Sequence, residues 1–387
     1  MNYEKRFLEI RDFLSNHQYI HELEMLERFE DKISEPYSSW IHQLSKLSQQ
    51  ELLKIENEYN SDLIEDPSLK KFIKTAHDLI QVPHKAVEAE IINKNLQRKM
   101  TAKKVYEVAL IAGLLKSQEH THFIDVGSGA GHLSSVLVNN KRSSVCIDQN
   151  ASFQKMGKDK LKRWSPETLE KIVFSNRKIL SHKDLEDYNK DSMLIGLHSC
   201  GALSTSLIQL LPKRILNFGC CYHKISDEYN ISELSKKEPL YFTNHAKTSA
   251  AKGYSYMSSS EYNEKFQVKR YRYTLHFLLK EKFGDTFSSV GNGKNIDYQK
   301  KFSDYAQKFS KKDLNLSEEQ LDQYYVHNID FIDHVIKAGT LRALLARVIE
   351  LYFILDRVLF LRENGIPAQM FTLFSRKISP RNIAIYF

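Results

Sequence analysis

The sequence predicts an α/β fold with a mostly parallel sheet, and three features predict it. Five apolar, β-rich runs alternate with helix-like runs between about Lys99 and Ser226. The first apolar run leads into a glycine-rich stretch, FIDVGSGAGHLS. A strand-turn-strand pattern, AQMFTLFSRKISPRNIAIYF, follows a long helical segment. Because alternating strands and helices build parallel sheets covered on both faces, we expect five strands completed by an antiparallel hairpin.

The segments around the alternating region are predicted to be helical. We expect a helical amino-terminal region over residues 1–97 and a sheet core over residues 98–230. Apolar side chains at helical spacing predict a helical insertion after strand five, over residues 231–365. Residues 366–387 then form the terminal hairpin. Because strands precede and follow the insertion, the hairpin should complete the core sheet.

Composition and charge exclude several classes of protein. The start, MNYEKRFLEIRDFL, is charged from its fourth residue and lacks the apolar stretch of a secretory signal. The longest apolar segment, Leu341–Asn364, carries too many charged side chains for a bilayer span. Four cysteines give no secreted disulfide framework. We therefore expect a cytoplasmic protein that does not associate with membranes.

The glycine-rich stretch indicates the class of ligand. A phosphate-binding loop would need Lys and then Ser or Thr after its glycines, and a dinucleotide fingerprint would need glycine where His132 stands. The spacing instead suits S-adenosylmethionine: Asp125 organises the loop and meets the ammonium group, and Asp148, which ends the next strand, accepts the ribose hydroxyls. A glycine-rich turn without a ligand is the alternative. The predicted cofactor-binding residues are Asp125, Gly127, Ser128, Gly129, Gly131, Asp148 and Gln149.

Histidines and cysteines follow the fourth and fifth predicted strands, in LHSCG and FGCCYH. These strands should be neighbours beside the first, so their ends should converge next to the glycine loop. Three chemistries remain open: a zinc site, covalent attack of a cysteine on a pyrimidine, and non-covalent transfer in which His198 or His223 handles a proton while Tyr222 stacks on the acceptor. Buried cysteines that only fill space are the structural alternative, and we prefer it for Cys220.

We expect direct, non-covalent transfer and no bound metal. Neither motif has the Cys-x-x-Cys spacing of a zinc knuckle, and adjacent residues of a strand point to opposite faces of the sheet. The candidate catalytic residues are His198, Cys200, Cys221, Tyr222 and His223.

Several motifs together resemble the methyltransferase-like protein 25 family. They are FIDVGSGAGHLS, LHSCG, GCCYH, RKMTAKKVYEV, ILDRVLFLRENG and ISPRNIAIYF, and the similarity runs from about Trp40 to the carboxyl terminus. The strand-four and strand-five motifs are also similar to those of a tRNA ribose 2′-O-methyltransferase. The resemblance implies a Rossmann-like class I methyltransferase fold that binds S-adenosylmethionine, and it marks Lys103, Lys104 and Glu107. Family members tend to have histidine where Tyr106 stands.

The predicted function is S-adenosylmethionine-dependent methylation, with RNA as the acceptor. A net charge of +8 permits a polyanionic partner without requiring one. A protein methyltransferase and a cofactor-binding scaffold without catalysis are the alternatives. If the first hairpin strand is parallel to the others, its turn lies on the ligand edge, where Arg381 could hold a phosphate or a carboxylate; a turn built around Ser379 and Pro380 explains the motif equally well. The predicted substrate-binding residues are Lys103, Lys104, Arg381 and Asn382. For the two lysines, a solvated helix face without a role in binding is the alternative.

Overall fold

The computed structural model describes most of the chain, in two compact units. The described residues are 1–24, 26, 29, 33–118, 122–179, 184, 192–226, 228–284, 290 and 293–387. The first unit comprises Met1–Asn16, Leu79–Ser255 and Arg347–Phe387. The second comprises His17–Asp78 and Tyr256–Ala346.

The first unit contains a seven-stranded sheet in the order β3-β2-β1-β4-β5-β7-β6. Its strands are β1 (His122–Val126), β2 (Ser143–Asp148), β3 (Ile172–Asn176), β4 (Met193–Cys200), β5 (Ile215–Cys220), β6 (Gln369–Thr372) and β7 (Ile383–Tyr386). The first five strands are parallel, and β7 runs antiparallel to both β5 and β6. The predicted α/β fold, with a mostly parallel sheet and a terminal antiparallel hairpin, is confirmed.

Several helices begin at residues whose side chains cap the first turn. Thr101, for example, accepts a hydrogen bond from the Lys104 backbone N–H and so caps a helix start. The α-helices are α1 (Tyr3–Asn16), α2 (Gln18–Glu22), α3 (Tyr37–Ser45), α4 (Gln49–Glu58), α5 (Pro67–Leu79), α6 (Lys94–Gln97), α7 (Ala102–Leu115), α8 (His132–Leu137), α9 (Ala151–Trp164), α10 (Pro166–Leu169), α11 (Ala202–Gln209), α12 (Glu233–Lys237), α13 (Asn244–Lys252), α14 (Ser259–Phe283), α15 (Phe302–Phe309) and α16 (Glu318–Glu363). Tyr222–Lys224 and Asn295–Tyr298 form 3₁₀ turns.

The two units do not follow the predicted boundaries, because helical periodicity does not say which core a helix packs against. In the first unit, the ring of Phe7 in α1 lies 4.9 Å from that of Tyr352 in the last part of α16. The predicted amino-terminal region and insertion therefore each contribute to the unit that contains the sheet. In the second unit, the Asn57 side chain donates a hydrogen bond to the Met257 carbonyl oxygen. Helices from both predicted regions thus share one unit.

The core under the sheet fixes the position of the functional residues. Apolar side chains of α7 and α8 pack with those of the central strands, and Phe123, Met193, Leu216 and Phe218 are fully buried. Because β1, β4 and β5 are parallel neighbours, their carboxyl ends lie side by side at one edge of the sheet. Among the described residues, no helix combines the length and apolar composition needed to cross a bilayer.

Candidate functional site

The glycine loop after β1 uses three left-handed backbone conformations. Gly127, Gly129 and Gly131 have φ values of 72°, 56° and 65°, a region that costs other residues free energy. The backbone N–H groups of Gly127 and Ser128 donate to the Ile147 carbonyl oxygen at 2.8 and 3.2 Å. These bonds attach the loop to the end of β2.

Asp148 links this loop to a cavity at the carboxyl edge of the sheet. Its Oδ2 accepts a hydrogen bond from the Gly129 backbone N–H at 2.8 Å, and its Oδ1 accepts one from the Asn150 N–H at 2.8 Å. Each carboxylate oxygen has a second lone pair, so Asp148 can still accept ligand hydroxyl groups. The cavity has a volume of about 620 Å³, within the range of ~300–1,000 Å³ that is usual for ligand sites. It is lined by Val126, Gly127, Ile147, Asp148, Gln149, Arg177, Lys178, Ile179, His198, Cys200, Ala202, Leu203, Ser206 and Lys224.

Asp125 lies behind the loop and is 2% exposed. Its Oδ2 accepts a hydrogen bond from the Ser134 hydroxyl at 2.9 Å. Burial raises the pKa of Asp125 to about 6, although Ser134 and the charge of Lys104 lower the pKa in part. Asp125 therefore organises the loop as predicted, but this burial does not support direct contact with a ligand ammonium group.

Three cations of the cavity wall were missed by the sequence analysis. Arg177 and Lys178 follow β3, and Lys224 ends the 3₁₀ turn after β5. The signal was present, because the carboxyl ends of all parallel strands lie on one edge and β3 ends immediately before Arg177. These cations give the wall a positive charge near Asp148.

His198 lies in the cavity wall and is held by a buried carboxylate. The strand register shifts between Leu197 and Ser199, so His198 occupies a bulge, with φ 63°. A bulge of this kind redirects a side chain. The His198 Nε2 atom lies 2.8 Å from Oε1 of Glu107, which also accepts a hydrogen bond from the Ser379 hydroxyl at 2.7 Å.

Glu107 is ionised because several partners surround it. Its side chain is fully buried, and the Nζ atoms of Lys103 and Lys104 lie 3.7 and 3.1 Å from its carboxylate oxygens. Burial alone would raise the pKa of Glu107, but the hydrogen bond and charge of His198, and then Lys104, lower the pKa to about 2. The lysine side chains remain partly exposed, so they neutralise Glu107 and can still meet an acceptor.

Tyr106, where the resembled family tends to have histidine, stabilises the hairpin turn. Its hydroxyl oxygen accepts a hydrogen bond from the Ser375 backbone N–H at 2.9 Å. Tyr106 is not among the described residues of the cavity wall. Its position therefore gives it a structural contact rather than a contact with the cavity.

Three of the four cysteines converge at the ends of β4 and β5. The Cys200 sulfur lies 3.1 Å from the Cys220 sulfur and 3.4 Å from the Cys221 sulfur. Cys221 has φ 52° and follows the strand, so it does not alternate with Cys220 as a strand residue would. The Cys220 and Cys221 side chains therefore do not point to opposite faces, as adjacent strand residues would, and their sulfurs lie 3.6 Å apart. Hydrogen bonding with the Cys220 and Cys221 thiols lowers the pKa of Cys200 to about 6, even though burial opposes this.

Tyr222 and His223 lie in the 3₁₀ turn after Cys221. Tyr222 is fully buried; its ring stacks on Phe353 at 5.2 Å, and its hydroxyl donates to Glu350. Its burial corrects the prediction that Tyr222 stacks on an acceptor. His223 is partly exposed, and burial together with the charges of Lys252 and Lys224 lowers its pKa.

Arg381 and Asn382 lie in the turn between β6 and β7. Since β6 is parallel to the first five strands, this turn lies on the ligand edge. The two side chains are only 6% and 5% exposed, however, and Arg381 pairs with Glu350 while Asn382 accepts a hydrogen bond from Arg347. Their burial corrects the prediction that they bind a polyanionic substrate.

The described residues fit S-adenosylmethionine. Gly127 brings bare backbone to the cavity wall, and the Cβ of any other residue there would lie 3.3 Å from Leu203 Cδ2. Asp148 and Gln149 supply polar groups at the end of β2, where the ribose hydroxyls of such a cofactor are expected. The residues at the ends of β1 and β2 can therefore hold the cofactor. His198 and Cys200 line the part of the cavity at the end of β4.

We expect Gly127→Arg to abolish binding of S-adenosylmethionine, because the new side chain starts in the cavity wall. Gly365→Arg is the matched control: Gly365 has φ 78°, close to the 72° of Gly127, and nothing lies within 4 Å of its Cβ position. Both substitutions place a non-glycine residue in a left-handed conformation, so their backbone costs in free energy are similar. Gly365, however, is not among the described residues that line the cavity. Calorimetric titration checks this, and equal affinities for the two variants would contradict it.

We expect the Glu107 carboxylate to contribute to stability at neutral pH. Since its pKa is lowered from 4.5 to about 2 on folding, this contribution is present above about pH 4.5 and is lost as the pH falls toward 2. The shift corresponds to about 3 kcal/mol. Denaturant titrations of Glu107→Gln between neutral and acid pH should show a flatter dependence of unfolding free energy than the wild type. Glu170→Gln, at an exposed glutamate of the same unit, is the control and should keep the wild-type slope.

Comparisons with known proteins agree with this geometry. Residues 97–228 match a family described as a methyltransferase domain. The chain is 25% identical over 230 residues to the probable methyltransferase-like protein 25 of Mus musculus, a match that covers 53% of this chain and 38% of that protein. It is 26% identical over 229 residues to the protein of the same name from Homo sapiens, covering 52% of this chain and 37% of that one. The matches thus span well under half the length of these relatives.

A solved structure, coclaurine N-methyltransferase bound to N-methylheliamine and SAH, is 14% identical, with a TM-score of 0.24 and coverage of 61% of this chain and 63% of that one. The matched domain, together with the loop and Asp148, indicates S-adenosylmethionine as the cofactor. The chain therefore carries a class I methyltransferase domain and is similar to methyltransferase-like protein 25.

Proposed function

We propose that the protein transfers the methyl group of S-adenosylmethionine to RNA. The observation that carries this proposal is the charge of the cavity wall, where Arg177, Lys178 and Lys224 accompany the residues that fit the cofactor. Lysine and arginine side chains are the usual partners of nucleic-acid phosphates. Lys103 and Lys104, which are partly exposed beside Glu107, add to this positive charge.

His198 is the residue that we propose receives a proton from the acceptor. Because Glu107 is ionised and can only accept hydrogen bonds, the Nε2 atom of His198 carries the hydrogen in this pair. In the neutral form of the imidazole, the Nδ1 atom of His198 keeps a lone pair. When bound, S-adenosylmethionine supplies an electrophilic sulfonium methyl group. On transfer the sulfonium S–CH₃ bond would break and the sulfur would leave as a neutral thioether, while His198 Nδ1 would accept the proton that the acceptor hydroxyl or amine loses.

The positions of the other groups favour this assignment over covalent catalysis. Cys200 is exposed, but its sulfur is surrounded by the Cys220 and Cys221 sulfurs and lies 3.3 Å from the His198 carbonyl oxygen. A direct transfer depends mainly on holding the two reacting atoms in line. The strand ends that line the cavity are fixed by the sheet, so they can hold the cofactor and the acceptor in line.

We expect radioactivity from tritiated S-adenosylmethionine to enter the RNA of the source cell and to become soluble on ribonuclease treatment. Total RNA and total protein are incubated in parallel with the wild type and with Gly127→Arg. Label in protein alone would contradict RNA as the acceptor while preserving methyl transfer. Label in neither fraction, with cofactor binding intact, would favour a scaffold.

For RNA binding, Lys178→Ala should reduce the slope of log affinity against log salt by about one, because one phosphate contact is lost. Lys155→Ala, at an exposed lysine of α9 outside the described wall, should leave the slope unchanged.

We expect His198→Ala to lower turnover by about 10²- to 10⁴-fold, the usual cost of losing a positioned acid or base. Affinity for S-adenosylmethionine should change little, because the glycine loop and Asp148 remain. His223→Ala serves as the comparison, since His223 is not among the described wall residues. Single-turnover rates with the labelled RNA check this, and a larger loss in His223→Ala than in His198→Ala would reverse the assignment.

A further inference from the structure

In contrast to the absence of metal expected from the sequence, we propose that Cys200, Cys220 and Cys221 bind one Zn²⁺ ion at the cavity. Their three sulfur atoms form a compact triangle, with separations of 3.1, 3.4 and 3.6 Å. Among the described residues, these three cysteines form a group whose ligand atoms all lie within 4.8 Å of one another. We call them the thiol triangle.

The separations suit a shared metal ion better than a disulfide bond. Two sulfurs that each lie about 2.3 Å from a tetrahedral zinc are about 3.8 Å apart, so the three separations need to widen by about 0.2 to 0.7 Å. A disulfide needs about 2.05 Å between two sulfurs. It would also engage two of the cysteines and leave the third without a role. Similar closeness among all three sulfurs is what one central ion requires.

The backbone builds the thiol triangle from two neighbouring strands. Cys200 and Cys220 are register partners of β4 and β5, so their side chains leave the sheet side by side. The Gly201 backbone N–H donates to the Cys220 carbonyl oxygen at 3.0 Å and fixes this pair. Cys221 then takes a left-handed conformation, and its sulfur lies 3.6 Å from that of Cys220. Both strand ends are anchored in the sheet, which makes the arrangement rigid.

Ligand chemistry and charge both favour zinc. Thiolates select soft or borderline ions such as Zn²⁺ over Mg²⁺ or Ca²⁺. Three thiolates and Zn²⁺ carry a net charge of −1, and the cation Lys224 lines the same cavity as Cys200. Three protein ligands leave a fourth position, and Cys200 is exposed toward the cavity. This is the arrangement of zinc sites that bind water or a substrate oxygen.

The test is the zinc content of the full chain. The protein is reduced, incubated with Zn²⁺, desalted and analysed for elements. We expect about one zinc per chain in the wild type and less than a tenth of that in Cys200→Ser and Cys221→Ser. Cys146→Ser is the matched control, because Cys146 is the cysteine outside the thiol triangle, and it should retain the zinc. Circular dichroism checks that each variant is folded.

A second measurement keeps the test decisive if a serine variant does not fold. The wild type loaded with Co²⁺ in place of zinc should show sulfur-to-cobalt charge-transfer absorption, which Zn²⁺ then abolishes. Absence of this absorption, a zinc content near zero in the reduced wild type, or unchanged zinc in the folded serine variants would overturn the proposal. A Cys200–Cys220 disulfide that forms in air while zinc is in excess would also overturn it, in favour of a redox pair.

Discussion

A buried carboxylate holds the functional edge of the sheet together. Glu107 in α7 contacts His198 at the end of β4 and Ser379 in the turn before β7, and its side chain is fully buried. A buried charge without partners would be strongly destabilising, so these three segments must meet around it. The interaction also determines which nitrogen of His198 carries the hydrogen. Glu107 therefore both stabilises the fold and orients His198, the proposed proton acceptor.

Much of the fold could be predicted from the sequence because its signals are local. All five strand runs of the core, the glycine loop and the terminal hairpin are marked by short apolar runs and turn residues within a few positions. The division into two units could not be predicted in this way. It depends on contacts between distant helices, such as the hydrogen bond from the Tyr262 hydroxyl in α14 to Glu56 in α4. Helical periodicity identifies an apolar face but not its partner.

The candidate site shows the same contrast. Gly127, Asp148, Gln149, His198 and Cys200 lie in the cavity wall, and each could be placed there because parallel strands end on one edge. The predicted roles of Tyr222 and Arg381 depended on side-chain direction, which sequence position alone does not specify. The convergence of Cys220 with Cys221 required a left-handed conformation at Cys221, and a cysteine in a sequence does not signal that conformation.

The sheet order has a consequence for how the chain reaches its fold. β5 is buried on every residue and pairs with β7, but β7 begins at Ile383 whereas β5 ends at Cys220. All the inserted helices must therefore be synthesised before the outer edge of β5 gains its partner. Contacts of such large sequence separation form slowly, and an apolar strand with an open edge can pair with other chains. While the insertion is synthesised, a ribosome-bound chain therefore has an unpaired edge on β5. Chaperones that bind exposed strands can act on the chain throughout this stage.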